Sequence, residues 1–282
     1  KISMFTDVDE ANIIEAVDAR TIYEVPLLFQ KQGLKEILEN TLQLWHREAN
    51  LVEWQKFVDN VVSPEKEIHI AIVGKYAELE DAYMSVREAL VHAGAKYATK
   101  VKRHWINAEE IESNPGLLQS LRDKGELHGV IVPGWCGSRG IEWKIAAIKF
   151  VRENNIPVLG ICLGLQLSVV EFARNVCGVA DATSTEFEKP GTPFIDYLPD
   201  QSDTIAKGGT LRLGHQDAAV IEGSLIHKLY GSTTINDRHR HRYEVCPDKH
   251  EILRSKGLVL SGTSHEGRLV EYIATPACPY FG

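Results

Sequence analysis

The chain has 282 residues, of which 44% are hydrophobic and 25% are charged, a composition typical of a soluble globular protein with one large domain. Its formal net charge of -8 argues against binding to nucleic acid or to an anionic membrane, and no apolar run is long enough to span a bilayer. The five cysteines are scattered without a Cys-x-x-Cys pair, which predicts a reducing, cytoplasmic location and no structural zinc.

The first 45 residues have too little apolar sequence to form a core of their own. They begin with a strand-like run at residues 2–5, continue with a helical pattern from Ala11, and end with an amphipathic helix around residues 34–45. We interpret residues 1–45 as the end of a larger domain. Residues 46–66 are interpreted as a helical linker, because they end in a polar segment with a proline, and the next domain is placed at 67–282.

Beyond the linker, strands and helices alternate. Strands are predicted at 68–73, 100–106, 129–132 and 156–161, and helices at 81–92, 108–123, 143–153 and after 165. Asn107 and Glu110 form a capping box that fixes the start of the second of these helices. Repeated βα units predict an α/β fold with a mainly parallel sheet flanked by helices, in which ligands bind beyond the carboxyl ends of the strands. After residue 179 hairpin-like strands follow, and the last pair is predicted near 258–261 and 269–273.

One stretch passes from a predicted buried strand, through a cysteine between two glycines, into a helix. It reads Ile156-Pro157-Val158-Leu159-Gly160-Ile161-Cys162-Leu163-Gly164-Leu165-Gln166. This order is typical of a nucleophile elbow, in which the glycines permit a tight turn and the nucleophile is exposed at the edge of the sheet. The start of a helix also favours a thiolate and can bind an oxyanion. Cys162 is therefore a candidate nucleophile, and the alternative is a small buried cysteine in a tight turn.

Six separated segments share a pattern with one enzyme family. In chain order they are Gly74-Lys75-Tyr76 with residues 81–90, Arg139-Gly140 with Glu142 and Lys144, residues 160–166, Ser184-Thr185-Glu186-Phe187, residues 208–214, and residues 238–244. Together they resemble cytidine triphosphate (CTP) synthases. The elbow alone is typical of any class I glutamine amidotransferase, whereas Gly-Gly-Thr-x-Arg-Leu-Gly and Arg-His-Arg-His-Arg-Tyr-Glu are much more specific.

The resemblance extends over essentially the whole chain. It implies a class I glutamine amidotransferase (flavodoxin-like) glutaminase domain, preceded by the end of the synthetase (amidoligase) domain. It also implies a two-part reaction, in which a cysteine thiolate releases ammonia from L-glutamine. In the synthetase domain ATP, with Mg²⁺, then phosphorylates UTP, and the ammonia displaces the phosphate to give CTP. GTP is the implied allosteric activator, the whole protein is implied to be a homotetramer, and the glutaminase part is implied to need no metal or cofactor.

The same resemblance implies roles for individual residues. Cys162 would be the nucleophile, and the backbone of Gly134 and Leu163 would supply the oxyanion donors. Glutamine would be held by Gly134, Gln166, Glu186 and Arg242. A carboxylate such as Glu186 suits an α-ammonium group, and an arginine fork suits an α-carboxylate.

A second set of residues matches positions near the nucleotide sites of the synthetase domain. They are Lys1, Val17, Asp18 and Ala19. The resemblance implies only a partial nucleotide site here, because most of the synthetase domain would lie outside the segment that these residues belong to.

The chain departs from the family pattern at several positions. Trp135 stands where the family has a glycine next to Gly134, and we expect its indole to hinder the glutamine pocket. Trp143 also replaces a glycine. The family's base and orienting acid lie in a Gln-x-His-Pro-Glu segment, which is not found before Gly282. We therefore expect the chain as given to have impaired glutaminase activity.

Two alternatives remain open from the residues alone. One is the glutaminase domain of another class I amidotransferase, which would differ in the acceptor of the ammonia. The other is a catalytically impaired binding or assembly module of the same fold. Covalent labelling of Cys162 by a glutamine-analogue electrophile distinguishes an enzyme site from such a module.

Overall fold

The computed structural model describes residues 1–75, 80–134, 140–187, 189–198, 212–264, 266–275 and 280–281. These residues belong to two compact units, one formed by Lys1–Glu67 with Ser85–Val101 and the other by Ile68–Met84 with Lys102–Gly282. None of the helices within the described ranges combines the length and apolar character needed to cross a membrane.

The first unit is helical. Its helices are α1 (Ile2–Thr6), α2 (Val25–Lys31), α3 (Leu34–Leu42), α4 (Val52–Val62) and most of α5 (Met84–Lys96). The strand predicted at residues 2–5 was wrong, because α1 occupies this position and Phe5 donates a backbone hydrogen bond to Lys1. The helix predicted from Ala11 is a single 3-10 turn, Glu10–Asn12, after which the chain is irregular to residue 19.

Aromatic side chains hold the first unit together. The ring of Tyr23 packs edge-on against that of Phe57 at 5.0 Å, and Trp54 donates its indole hydrogen to the Tyr23 carbonyl at 2.9 Å. The Tyr23 hydroxyl donates to Glu88 at 2.5 Å, and burial together with this carboxylate raises the pKa of Tyr23 to about 12. The helix predicted in the linker is confirmed as α4, and its half-buried aromatic residues Trp54 and Phe57 pack against Tyr23.

The second unit is built on two sheets. Their strands are β1 (Lys66–Gly74), β2 (Thr99–Asn107), β3 (Gly129–Val132), β4 (Val158–Gly160), β5 (Ala182–Ser184), β6 (Thr192–Tyr197), β7 (Arg212–Val220), β8 (Thr234–His241), β9 (Tyr243–Val245), β10 (Val259–Thr263), β11 (Val270–Thr275) and β12 (Tyr280–Phe281). The larger sheet has the order β2-β1-β3-β4-β12-β11-β10-β7-β8, and the smaller one has the order β5-β6-β9. Strands β1, β3, β4 and β12 are parallel, whereas β11, β10, β7 and β8 run antiparallel to their neighbours.

Helices cover the parallel part of the large sheet, as the βα alternation predicts. They are α6 (Ala108–Ser113), α7 (Leu117–Asp123), α8 (Ile141–Glu153) and α9 (Leu163–Asn175), and two short helices follow, α10 (Leu225–Tyr230) and α11 (His250–Ser255). The capping box of Asn107 and Glu110 is confirmed. The single helix predicted at 108–123 is two helices, because Pro115 lacks a backbone N–H and its ring restricts the residue before it.

The core of the second unit explains why the site lies where it does. All four residues of β3 are buried, and α9 is buried along almost its whole length. Its start passes over the carboxyl ends of β3 and β4, where no side chain fits: a Cβ at Gly164 would lie 2.0 Å from the Val132 carbonyl oxygen. A Cβ at Gly160 would lie 2.6 Å from the backbone of Gly164. The two glycines of the elbow thus let the helix approach the sheet closely.

We expect Gly164→Ala to destabilise the second unit by at least about 1–3 kcal/mol, because the added methyl group must push α9 away from β3. Chemical denaturation measures the loss. The matched control is Gly116→Ala, since a Cβ at Gly116 would have only the Asn114 side chain near it, at 3.7 Å, and an ordinary negative φ. Because Gly116 is the N-cap of α7, where alanine is less favourable than glycine, the control is expected to lose only up to about 1 kcal/mol. Equal stability of Gly164→Ala and wild type would contradict the close approach.

Candidate active site

Cys162 lies at the turn between β4 and α9 in a strained backbone conformation. Its φ is 55° and its ψ is -107°, a combination that a residue with a side chain rarely adopts. Hydrogen bonds hold the turn on both sides: Ile161 donates to the Val132 carbonyl at 2.9 Å, and Gln166 donates to the Cys162 carbonyl at 3.1 Å. The residue is exposed, so the alternative of a buried structural cysteine does not apply. The geometry is that of a nucleophile elbow.

Two backbone segments flank the thiol. A Cβ at Gly134 would lie 2.9 Å from the Cβ of Cys162 and 3.6 Å from its sulfur, so the backbone after β3 is in close contact with Cys162. Leu163 is the first residue of α9, and its N–H is one of those that no carbonyl within the helix can satisfy. A small oxygen anion bound next to the sulfur would therefore meet backbone at both sides.

The Cys162 thiol also contacts β8. It donates to the Arg240 carbonyl oxygen across a distance of 3.7 Å. Because β8 is the edge strand of the large sheet, the thiol lies between the start of α9 and this edge. The arginine and histidine run that the sequence analysis singled out is thus brought next to the predicted nucleophile.

Gln166 lies one helical turn after Cys162 and is only 6% exposed. Its side-chain amide donates to the Tyr243 carbonyl at 3.1 Å. Its side-chain oxygen is buried and has no hydrogen-bond partner among the described residues. An unpaired buried acceptor costs about 1–3 kcal/mol, so this oxygen is suited to accept a hydrogen bond from a ligand.

Glu186 and Arg242 lie at the same end of the small sheet. Glu186 follows β5, and its N–H donates to the Ser184 hydroxyl at 3.2 Å. Arg242 precedes β9, and its carbonyl accepts from Leu198 at 3.0 Å. Ser184 in β5 pairs with Ile195 in β6. Two residues later in β6, Tyr197 pairs with Tyr243 in β9. The chain therefore places a carboxylate and a guanidinium at one end of this sheet.

Lys144 is buried within the first turn of α8. Burial, and next the positive charge of Lys75, lower its pKa to about 8, and the carboxylate of Glu186 acts in the opposite direction. Burial of an ammonium group lowers its pKa in this way because the charged form loses its hydration. Trp143 beside it is half-buried and packs against the core.

A cluster of charged and polar side chains lies behind the Arg240–Tyr243 segment, and the sequence analysis did not predict it. Arg212 lies 2.7 Å from the buried Glu271 carboxylate and 3.3 Å from the ring of His241. His239 lies 3.4 Å from the other oxygen of Glu271. The i, i+2 spacing of the two histidines, which places them on one face of β8, is the sequence signal that could have indicated this cluster.

This cluster has ligand atoms for a metal ion, but a protein cation occupies its centre. Potential ligand atoms of His239, His241 and Glu271 all lie within 4.8 Å of one another. Burial lowers the pKa of both histidines, which favours the neutral imidazole. The guanidinium of Arg212 already approaches two of the three groups, although its contact with Glu271 lacks the alignment of a good hydrogen bond. The arrangement fits an internal ion pair better than a metal site.

Glu244 anchors the strand that follows Arg242. One of its oxygens accepts from the N–H of Val245 at 2.8 Å and from that of Val270 at 3.2 Å. Burial, with a smaller effect of Glu271, raises the pKa of Glu244 to about 8. This side chain is therefore mostly a neutral acid at pH 7.

We expect Glu244→Gln to flatten the pH dependence of stability between pH 4.5 and about 8. In this range the unfolded chain releases the Glu244 proton and the folded chain retains it, so the free energy of unfolding falls as pH rises. Glutamine keeps the acceptor oxygen without the proton. Denaturation at pH 5 and pH 8 measures the effect, which is on the order of a few kcal/mol.

The control for this prediction is Glu251→Gln, an exposed substitution on α11. It is expected to leave the pH dependence unchanged. The same slope in wild type and Glu244→Gln would mean that Glu244 is ionised in the folded protein at neutral pH.

The residues predicted for a partial nucleotide site lie in the first unit. Lys1 is exposed and precedes α1. Val17 and Asp18 are exposed and Ala19 is half-buried, all in an irregular segment. Trp135, the predicted obstacle in the pocket, lies outside the described residues, as do residues 276–279 and most of the Gly208-Gly209 segment.

The chain is similar to known proteins over its whole length. A family model described as glutamine amidotransferase class-I matches residues 78–282, and one described as CTP synthase N-terminus matches residues 1–44. Among curated relatives, the CTP synthase of Methanocaldococcus jannaschii is 54% identical over 100% of this chain and 53% of its own length. That of Methanococcus maripaludis is 50% identical over 100% of this chain and 53% of its own length. The chain spans about half the length of these relatives.

A solved structure gives the same result. The glutaminase domain of Trypanosoma brucei CTPS with bound acivicin matches with a TM-score of 0.68 and 34% identity, over 76% of this chain and 83% of that one. The chain belongs to the class I glutamine amidotransferase family. Within that family it is a relative of the CTP synthases, and both the fold class and the resemblance stated from the sequence are confirmed.

Proposed function

We propose that the chain is the glutaminase part of a CTP synthase, joined to the end of its synthetase domain. The observation that carries this proposal is the strained, exposed Cys162 at the start of α9, in a chain whose relatives are CTP synthases. In this proposal residues 1–45 end the synthetase domain, 46–66 form the linker, and 67–282 belong to the glutaminase domain.

The proposed reaction begins with attack of the Cys162 thiolate on the side-chain amide carbon of L-glutamine. A carbon–sulfur bond forms, and the carbonyl electron pair moves to the oxygen, which the N–H groups of Leu163 and Gly134 stabilise. When the carbonyl re-forms, the carbon–nitrogen bond breaks, and the nitrogen leaves as ammonia after taking up one proton from water, which replaces the proton that the thiol lost on ionising. Water then hydrolyses the thioester to give glutamate and the free thiol.

The two charged groups on the α-carbon of glutamine are each assigned to a protein side chain of opposite charge. Glu186 pairs with the α-ammonium group, and the fork of Arg242 binds the α-carboxylate. Gln166 contributes in two ways: its unpaired oxygen accepts a hydrogen bond from the substrate, and its amide holds the Tyr243 carbonyl next to Arg242. Both ends are thus fixed by the small sheet and α9.

The activity of the whole protein is a wider proposal. ATP, Mg²⁺, UTP and CTP would bind in the synthetase domain, GTP would activate, and the intact protein would be a cytoplasmic homotetramer. Of the four residues assigned to a partial nucleotide site, Lys1 and Asp18 carry a charge.

The nucleophile is tested by covalent labelling with acivicin, the compound bound in the Trypanosoma brucei glutaminase structure. We expect intact-mass analysis to show a single adduct, peptide mapping to place it on Cys162, and excess glutamine to slow the labelling. Cys162→Ser is expected to remain unlabelled. The matched control is Cys246→Ser, because this thiol is buried and its pKa is raised to about 11.

Two results would overturn the proposal. A folded wild-type chain that gains no adduct would favour a binding or assembly module of the same fold. An adduct that persists in Cys162→Ser would assign the reactive thiol to another residue. The alternative of a different amidotransferase is tested in the intact protein by identifying the compound that accepts the ammonia.

The role of Arg242 gives a separate prediction. We expect Arg242→Met to raise the acivicin concentration for half-maximal labelling rate about 10-fold or more, because a charge-assisted hydrogen bond is worth about 1.5–3 kcal/mol. Arg254→Met, an exposed substitution on α11, is the control and is expected to have no effect. If Arg242→Met reaches half-maximal labelling at the same acivicin concentration as wild type, Arg242 does not contribute to binding.

A further inference from the structure

Arg174 links three parts of the second unit near the end of α9. Its Nε donates to the Ala182 carbonyl at 2.7 Å, and its Nη1 donates to the Glu142 carboxylate on α8, also at 2.7 Å. Ala182 is the first residue of β5, the strand that leads to Glu186. One guanidinium therefore ties two helices to the start of this strand.

The segment that begins at Ala182 contacts the Glu142 carboxylate again at its other end. Lys189 donates to Glu142 at 3.2 Å. Burial alone would raise the pKa of Glu142, but the hydrogen bonds from Arg174 and Lys189 outweigh it and lower that pKa, so the group is a carboxylate at neutral pH. We call the contacts among Arg174, Glu142, Lys189 and the Ala182 carbonyl the Glu142 clamp.

Glu186 lies between the two ends of the clamp. Its N–H is bonded to the Ser184 hydroxyl, and the Phe187 N–H is bonded to the Ser184 carbonyl at 3.0 Å. The Phe187 side chain is buried in the core. Glu186 thus sits on a short segment that Arg174 contacts near its start and whose Lys189 contacts Glu142 near its end.

A second ion pair joins the same two helices, α8 and α9, and serves as a comparison. Arg152 on α8 donates to both oxygens of Glu171 on α9, at 2.8 to 3.1 Å, and Glu171 is fully buried. Asn175, also on α9, donates to the same carboxylate. Like the Arg174–Glu142 pair, this pair joins α8 to α9. The contacts described for it involve residues of α8 and α9, whereas Arg174 also contacts β5.

We propose that Arg174 is a positioning residue for Glu186, acting through the Glu142 clamp to set the affinity for the α-ammonium end of the substrate. The inference rests on the proposed glutaminase function. A planar guanidinium is needed because it donates to a carbonyl and a carboxylate in fixed directions, which a lysine ammonium does not do. Small displacements of a substrate-holding group are costly to binding and orientation.

The test compares two rates at Cys162. Labelling by acivicin depends on the pocket, whereas alkylation by iodoacetamide reports the reactivity of the thiol alone, and peptide mass mapping follows both at this residue. We expect Arg174→Met to raise the half-saturating acivicin concentration about 5- to 10-fold. The maximal labelling rate and the iodoacetamide rate are expected to stay within about 2-fold of wild type, and Arg174→Lys is expected to recover only part of the loss.

Arg152→Met is the matched control, because it removes the other interhelical pair. It is expected to lower the melting temperature without changing half-saturation by acivicin. If Arg174→Met does not fold, Lys189→Met cuts the exposed end of the clamp, and it is expected to raise half-saturation by a smaller factor. In a Glu186→Gln background, Arg174→Met should add little further effect, because both substitutions act through one group.

Three results would overturn the inference. One is a wild-type half-saturating acivicin concentration in folded Arg174→Met. If Arg174→Met does not fold, the same result in folded Lys189→Met has this meaning. The second is an equal rise in Arg152→Met, and the third is full additivity with Glu186→Gln. Failure of the proposed function is distinguishable, because wild type itself would then not be labelled at Cys162.

Discussion

The start of α9 approaches β3 and β4 so closely that two positions of the turn have no room for a side chain. This contact fixes the strained backbone of Cys162, since the chain must reverse between Gly160 and Gly164 within a few residues. It also sets the direction of the helix, and with it the position of Gln166 one turn later. The contacts with Arg240 and Tyr243 follow from that direction. The candidate site thus depends on backbone packing before it depends on any polar side chain.

The parts of the fold with strong periodicity were predictable from the sequence. The βα units from β1 to α9 follow from buried apolar strands and amphipathic helices, and the capping box fixed one helix start. The first residues were not predictable, because a run of four residues carries no period that separates strand from helix. Pro115 is the residue that indicates the break between α6 and α7, because it cannot continue a helix.

The candidate site was predicted only in part. Cys162 and its neighbours lie in one local motif, which spacing alone can indicate. The contact between Gln166 and Tyr243 joins residues 77 positions apart, and no local pattern predicts such a pair. The same limit applies to Arg174, whose partners on α8 and β5 depend on how the layers stack. Sequence patterns therefore indicate the chemistry, whereas the supporting contacts require the fold.

The neutral state of Glu244 has an electrostatic consequence for the pocket. Behind the Arg240–Tyr243 segment, Arg212 faces the carboxylate of Glu271, while burial keeps Glu244 protonated and favours neutral His239 and His241. The positive charge of Arg212 and the negative charge of Glu271 then cancel. This ion pair adds no net charge behind Arg242, the residue proposed to bind the α-carboxylate. Ionisation of Glu244 would add a negative charge directly behind that site and weaken its attraction for an incoming carboxylate.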